Sequence, residues 1–131
     1  MTAPVPASAA EPFFERGRAL SEQGDFDDAI EMFLRGLALD LDNVDAHQEL
    51  RDIALKRKAG GGKPLGMFKS MRIKRRSKDD KQNMLNAERQ LAYDPGHTDF
   101  MLRVVQAALQ VGCNRAADWM HSILRKALRE N

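Results

Sequence analysis

Residues 13–41, FFERGRALSEQGDFDDAIEMFLRGLALDL, decide the fold of this chain. Their apolar side chains recur every three or four positions in two runs, the pattern of two amphipathic helices. Gly24 between the runs is typical of a helix end, and Asp25 is typical of the cap of the next helix. The small residues Gly17 and Ala29 stand where the two helices would touch. The stretch therefore predicts a closely packed helical hairpin.

The same signals continue along the rest of the chain. A third helix is predicted over residues 42–58, and the glycines of residues 60–62 end it because glycine is a poor helix former. Helix resumes over residues 77–93 and stops at an Asp-Pro-Gly sequence. Two further helices follow over residues 98–131, with a hinge at Gly112. The prediction is an all-α protein of about six helices.

The first hairpin resembles a tetratricopeptide repeat, a helix-turn-helix unit of about 34 residues. Gly17, Ala29 and Phe33 agree with the pattern of that family, and Phe13 and Leu20 are mild substitutions in it. The resemblance implies a right-handed stack of three antiparallel hairpins, an α-solenoid. Its repeats would cover about residues 10–43, 44–97 and 98–131, after a flexible lead at residues 1–10.

The spacing of the copies predicts an insertion. Gly112 and Ala117 match Gly24 and Ala29 at a distance of 88 residues, which is two repeats of about 34 residues plus 20. Residues 59–78, which we call the basic insert, are 20 residues long and stand where a short hinge is expected. The middle repeat is therefore interpreted as a hairpin with an expanded hinge.

Composition limits the function classes. A chain of 131 residues with 43% hydrophobic residues is enough for one globular domain. The single cysteine, Cys113, excludes an internal disulfide. Residues 1–10 lack the features of a secretory signal, and no apolar stretch approaches the roughly 20 residues of a membrane span. These observations favour a cytoplasmic location.

No arrangement of residues points to catalysis. The three histidines fall in no metal-binding spacing, and neither HExxH nor CxxC occurs. The glycines before Lys63 are not followed by the Ser or Thr of a phosphate-binding loop. We therefore expect no enzymatic activity, no metal and no cofactor.

The resemblance implies a ligand surface along the first helix of each repeat. The corresponding residues here are Phe14, Arg18, Gln48, Glu49, Asp52, Leu102, Arg103 and Gln106. Acidic side chains in the first two copies favour a basic ligand. The alternative is an ordinary solvated helix face.

The basic insert is a second candidate site. Its bases are Lys63, Lys69, Arg72, Lys74, Arg75, Arg76 and Lys78, interleaved with apolar residues. Such a segment suits an anionic membrane surface, or the phosphates of a nucleic acid. There are two further alternatives: the insert contacts the acidic residues of the preceding helices, over residues 11–55, or it is a solvated loop.

The sequence as a whole predicts a non-catalytic protein–protein interaction module, or scaffold, that binds a peptide or protein in a concave helical groove. A larger repeat protein is expected to contain it, because Leu124 and Leu128 near the end have no evident cover. Failing that, the last helix is expected to mediate self-association. The alternative function is electrostatic binding of anionic membrane or nucleic acid through the basic insert.

Overall fold

The computed structural model of the protein describes residues 9–74 and 76–130, apart from the side chains of Phe68 and Lys74. All regular secondary structure in these ranges is helical. The helices are α1 (Glu11–Glu22), α2 (Phe26–Leu39), α3 (Val44–Ala59), α4 (Met67–Lys74), α5 (Asp80–Tyr93), α6 (Thr98–Gln110) and α7 (Asn114–Glu130). The all-α prediction is confirmed. The helix beyond the expected six is α4, which lies within the basic insert.

Glycines allow α1 and α2 to approach closely. A Cβ atom on Gly17 would lie 2.5 Å from Cδ2 of Phe33 and 3.3 Å from the carbonyl oxygen of Ala29. In the same way, a Cβ atom on Gly36 would meet the ring of Phe14. The two phenylalanine rings lie 5.3 Å apart between the helices. Each glycine thus makes room for an aromatic ring of the opposite helix, which is why the hairpin requires both.

Three helices end with the same backbone geometry. Gly24, Gly61 and Gly112 have φ values of 83°, 94° and 80°. The residue after each glycine donates its N–H to a carbonyl five positions earlier, at 2.8–2.9 Å. Only glycine adopts positive φ without strain, so each of these ends depends on its glycine. The hinges after α1 and α6 are 88 residues apart, as the sequence spacing predicts.

The connections between successive hairpins also match. Asp40 after α2 has φ −148° and ψ 71°, and Asp94 after α5 has φ −148° and ψ 72°. Each carbonyl accepts an N–H from three residues later, Asn43 or His97, at 3.3 and 3.2 Å. Asp40 and Asp94 are 54 positions apart.

Helix α5 lies at the centre of the packing. Eight of its 14 residues are buried, and it contacts α2, α3, α4 and α6. The last hairpin reaches α3 through α7, and the Asp42 side chain accepts the N–H of Ala116 at the start of α7, at 2.8 Å. The first inter-hairpin connection is therefore joined directly to the last helix. Within the described ranges, no helix combines the length and apolar character needed to cross a bilayer.

The basic insert folds back on the helices. Leu65 packs against the core that α2, α3 and α5 share. Ser70 of α4 accepts a hydrogen bond from the Gln90 side chain of α5 at 3.2 Å. The glycines end α3, but the apolar residues after them have a surface to cover, so this part of the chain forms a helix.

Candidate functional site

A cleft of about 340 Å³ lies between α5, α6 and the end of the basic insert. We call it the α5–α6 groove. Ala87 and Ala107 contribute small side chains to its lining. Four amide side chains line it as well: Asn83, Gln90, Gln106 and Gln110. The remaining lining residues are Ile73, Arg76, Asp80 and Arg103.

Helical spacing explains why these side chains share one cleft. Asn83, Ala87 and Gln90 of α5 are separated by four and three positions, so they lie on one face of the helix. The α6 residues from Arg103 to Gln110 follow the same spacing. Two amide-bearing helix faces therefore oppose each other, with an alanine in the middle of each.

Internal hydrogen bonds fix one side of the groove. The Gln90 side chain is only 3% exposed. Its Oε1 accepts from Nη1 of Arg103 at 3.3 Å, while its Nε2 donates to Ser70 Oγ. Asn83 Nδ2 donates to the carbonyl of Ser77 at 2.9 Å, and the Ser77 N–H donates to Asn83 Oδ1 at 2.7 Å. The basic insert is thus tied to α5 at two points along this cleft.

The chemistry of the lining suits an extended polypeptide. Amide side chains both donate and accept hydrogen bonds, as a peptide main chain does. Two arginines, Arg76 and Arg103, against one acid, Asp80, leave an excess of positive charge. A guanidinium binds a carboxylate well because it presents several N–H donors in a fixed plane.

The sequence-predicted ligand residues divide between two regions. Arg103 and Gln106 line the α5–α6 groove, and Leu102 is 43% exposed on the same helix. Gln48 and Asp52 are exposed on α3.

Arg18 and Glu49 bind each other across α1 and α3. Their Nε–Oε1 and Nη2–Oε2 distances are both 3.0 Å. Nη1 of Arg18 also donates to Glu11 at 2.8 Å. These hydrogen bonds raise the pKa of the Arg18 guanidinium above its ordinary value. Both predicted ligand residues therefore already have an internal partner.

Phe14 was predicted to lie on the ligand surface, but the structure buries it. It is 1% exposed and packs in the hairpin core, so it presents no surface to a ligand. Its ring occupies the space that Gly36 leaves open. The helical position alone did not reveal this, because the cavity is created by a residue of the opposite helix.

Two acidic side chains of α2 form ion pairs with arginines of other helices. Arg89 of α5 donates to both oxygens of Glu31, at 2.8 and 3.2 Å. Arg57 binds Asp27 at 2.6 Å and stacks over the Tyr93 ring at 4.5 Å. Burial, followed by the charge of Glu31, raises the pKa of Tyr93 to about 12. Counting charges along the sequence missed these pairs because the partners are about 30 and 58 positions apart.

The bases of the insert face solvent where the structure describes them. Lys63, Lys69, Arg72, Arg76 and Lys78 are exposed, and none of them forms an ion pair with another described residue. Lys69 and Arg72 line a second cleft of about 370 Å³ beside Tyr93. Arg75 and the side chain of Lys74 lie outside the described part of the chain.

Sequence reasoning missed a buried ion pair. His47 of α3 and Glu88 of α5 are both buried, with Nδ1 and Oε1 2.9 Å apart. The other ring nitrogen of His47 lies 2.8 Å from the carbonyl oxygen of Leu41. Burial alone would lower the pKa of His47, but the Glu88 carboxylate and the Leu41 carbonyl outweigh it, so the pKa is raised. Nε2 bonds to the Leu41 carbonyl, whereas Nδ1 and Oε1 of Glu88 are close without the geometry of a hydrogen bond, so their attraction is that of a charge pair.

Cys113 is buried, and its burial, followed by the charge of Asp42, raises the pKa of the thiol. A raised pKa disfavours the reactive thiolate. Within residues 9–74 and 76–130, no group of three or more His, Cys, Asp or Glu side chains is arranged to hold a metal ion.

Comparison of the chain with protein-family models, curated proteins and solved structures found no match.

Proposed function

We propose that this protein is a non-catalytic interaction module that binds an extended segment of a partner protein in the α5–α6 groove. The observation that carries the proposal is the cleft itself, in which four amides and two arginines surround two alanines. Gln106 and Gln110, which are exposed, would bind the partner's main chain, because the amides of Asn83 and Gln90 already bond within the chain. Arg76 and Arg103 would bind an acidic side chain or a terminal carboxylate.

The proposal includes a tetratricopeptide-like organisation of the three hairpins. The matching hinge glycines and the matching connections at Asp40 and Asp94 support it. Helical repeats of this kind commonly present grooves to peptides. In this chain, the basic insert adds a wall to the groove through Ile73 and Arg76.

A displayed library of random peptides tests this function. Peptides selected on the wild-type protein should contain Asp or Glu, and their affinities can be measured by fluorescence anisotropy. Arg103→Gln should weaken binding by about tenfold or more, because a charged hydrogen bond contributes about 1.5–3 kcal/mol. Gln106→Ala should weaken it less.

Arg125→Gln is the matched control, since Arg125 is exposed on α7 and does not line the groove. Circular dichroism should show that all three variants remain folded. Equal affinity of the selected peptides for wild type, Arg103→Gln and Gln106→Ala would show that the groove is not the binding site.

A further inference from the structure

Helix α4 has two different faces. Leu65, just before it, packs on the core, and Ser70 and Ile73 are partly buried towards α5. Met67 and Met71 lie one helical turn apart and are 76% and 60% exposed. Two adjacent methionines in water are an apolar surface that the fold itself does not cover.

The stretch of chain that contains these methionines is strongly basic. Residues 59–78 contain seven bases and no acid. The described bases are exposed and form no ion pair with the described acidic side chains, and the one acid that lines the cleft of Lys69 and Arg72, Glu31, is paired with Arg89. The solvent-exposed surface of α4 therefore has Met67 and Met71 along one side, and along the other Lys69 and Arg72, which also line the cleft beside Tyr93.

We propose that this surface docks on a membrane rich in anionic lipid. Met67 and Met71 would enter the boundary between headgroups and acyl chains, while Lys69 and Arg72 bind lipid phosphates. A nucleic acid would use the cations but would gain little from two methionines, because its outer surface is a hydrophilic phosphate backbone. The pairing of apolar and basic side chains thus favours lipid.

Because α4 is attached to α5, docking of α4 on a membrane would orient the rest of the domain. Ser70 is hydrogen-bonded to Gln90, which also accepts from Arg103 in the α5–α6 groove. The helix is therefore held against the domain, and a membrane bound to its outer face would lie at a fixed side of the groove. With eight residues, α4 is about 12 Å long, so binding should be weak, reversible and sensitive to salt.

Vesicle flotation with the full chain tests the proposal. Wild type should float with vesicles of phosphatidylcholine and phosphatidylserine at low salt, and should not float with phosphatidylcholine alone. The double variant Lys69→Glu/Arg72→Glu should reduce the partition coefficient by at least about a hundredfold, because each charge near the surface changes it about fivefold. Met67→Ser/Met71→Ser should reduce it by about tenfold.

The charge-matched control is Arg125→Glu/Lys126→Glu, which reverses two exposed bases on α7 and should leave flotation unchanged. Peptide binding in the α5–α6 groove should survive the α4 substitutions, so the two proposals fail separately. Absence of flotation at low salt would overturn the membrane proposal. It would also be overturned by tighter binding to a short duplex DNA that the methionine substitutions do not affect.

Discussion

The first hairpin and the middle hairpin are held together in different ways. Helices α1 and α2 are joined by a tight glycine hinge and pack along their length through glycine–phenylalanine contacts. Helices α3 and α5 are separated by the glycine run and by α4, and they contact each other over a shorter length. Their contact includes the buried pair of His47 and Glu88.

The difference shows how the length of the connection affects the packing of two helices. A tight turn already fixes the relative position of two helices, so apolar packing completes the hairpin. Where two helices are joined by a long connection, as α3 and α5 are, a buried charge pair between them can select their relative position. Ile73 and Arg76 of this connection also line the α5–α6 groove.

The largest expected effect breaks the polar contact of the middle hairpin. His47→Leu would leave Glu88 buried without a partner and should lower the free energy of unfolding by about 3–5 kcal/mol, measured by urea denaturation. The double variant His47→Leu/Glu88→Leu should recover most of this loss, because no buried charge remains. Gln48→Leu on the exposed side of α3 is the control and should change little. Similar stability of His47→Leu and wild type would mean that the pair does not hold α3 to α5.

The corresponding change in the first hairpin is steric. Gly17→Ala places a Cβ atom against the Phe33 ring and should cost about 1–3 kcal/mol by overpacking. Ala29→Leu, at the same contact, should cost a similar amount. Gly60→Ala is the control because its Cβ would be 3.5 Å from the nearest atom, an ordinary contact. If thermal melts of Gly17→Ala and Gly60→Ala coincide, the close approach of α1 and α2 is not needed.

Titration distinguishes the two hairpins further, since only the middle one contains a buried ionisable pair. The pKa of His47 is raised in the folded protein, so its stabilising contribution is full below about pH 6.5. This contribution is lost as the pH rises through the raised pKa of His47. Its total size is about 1.4 kcal/mol for each unit by which the pKa is raised. The difference in unfolding free energy between wild type and His47→Leu should therefore shrink with increasing pH. Gly17→Ala should show no such trend, and a constant difference for both variants would contradict the protonation of His47.

An effect of similar size to that of Gly17→Ala is expected from removing the basic insert. Deletion of residues 59–78, with a short glycine link, should leave a helical protein that melts cooperatively. The loss of Leu65 burial and of the Ser70–Gln90 hydrogen bond should cost about 1–3 kcal/mol. Collapse to a molten or aggregated state, seen as lost near-ultraviolet circular dichroism, would show that the insert is essential to the fold.

The smallest effect on stability is expected from replacing Leu128, an exposed residue of the last helix. Leu124 is buried, whereas Leu128 is 57% exposed. Leu128→Glu should leave stability within about 0.5 kcal/mol of wild type, and Leu124→Glu should be clearly destabilising. If α7 mediates self-association, Leu128→Glu should also shift light scattering towards the monomer. A wild-type protein that stays monomeric at high concentration would remove that proposal.

The sequence predicted features that depend on neighbouring positions. Helix periods and the hinge at Gly24 follow from local spacing, and the structure has both. It did not predict that Phe14 is a core residue, because that depends on Gly36 across the hairpin. The His47–Glu88 pair was missed for a similar reason, since residues 41 positions apart leave no periodic signal.

The sequence analysis assigned residues of the candidate groove to two separate sites. Arg103 and Gln106 were assigned to one surface and Arg76 to another, and the structure places all three around the same cleft. Gln90, which is hydrogen-bonded to Arg103, was not predicted to lie at a site because a glutamine in a helix is usually solvated. The approach of the insert to α5 and α6 is a tertiary contact, which helical spacing does not specify.

The hydrogen bond from Ala116 to Asp42 has a consequence for how the chain folds during synthesis. The acceptor emerges from the ribosome 74 residues before its donor, and Leu41 beside it packs with residues of α6 and α7. A translating chain that has reached only α5 would still expose this part of the first connection. Such long-range contacts raise the contact order and slow folding relative to helical proteins with purely local contacts. We therefore expect the nascent chain to become protease-resistant only after α7 has left the exit tunnel, in one late step rather than hairpin by hairpin.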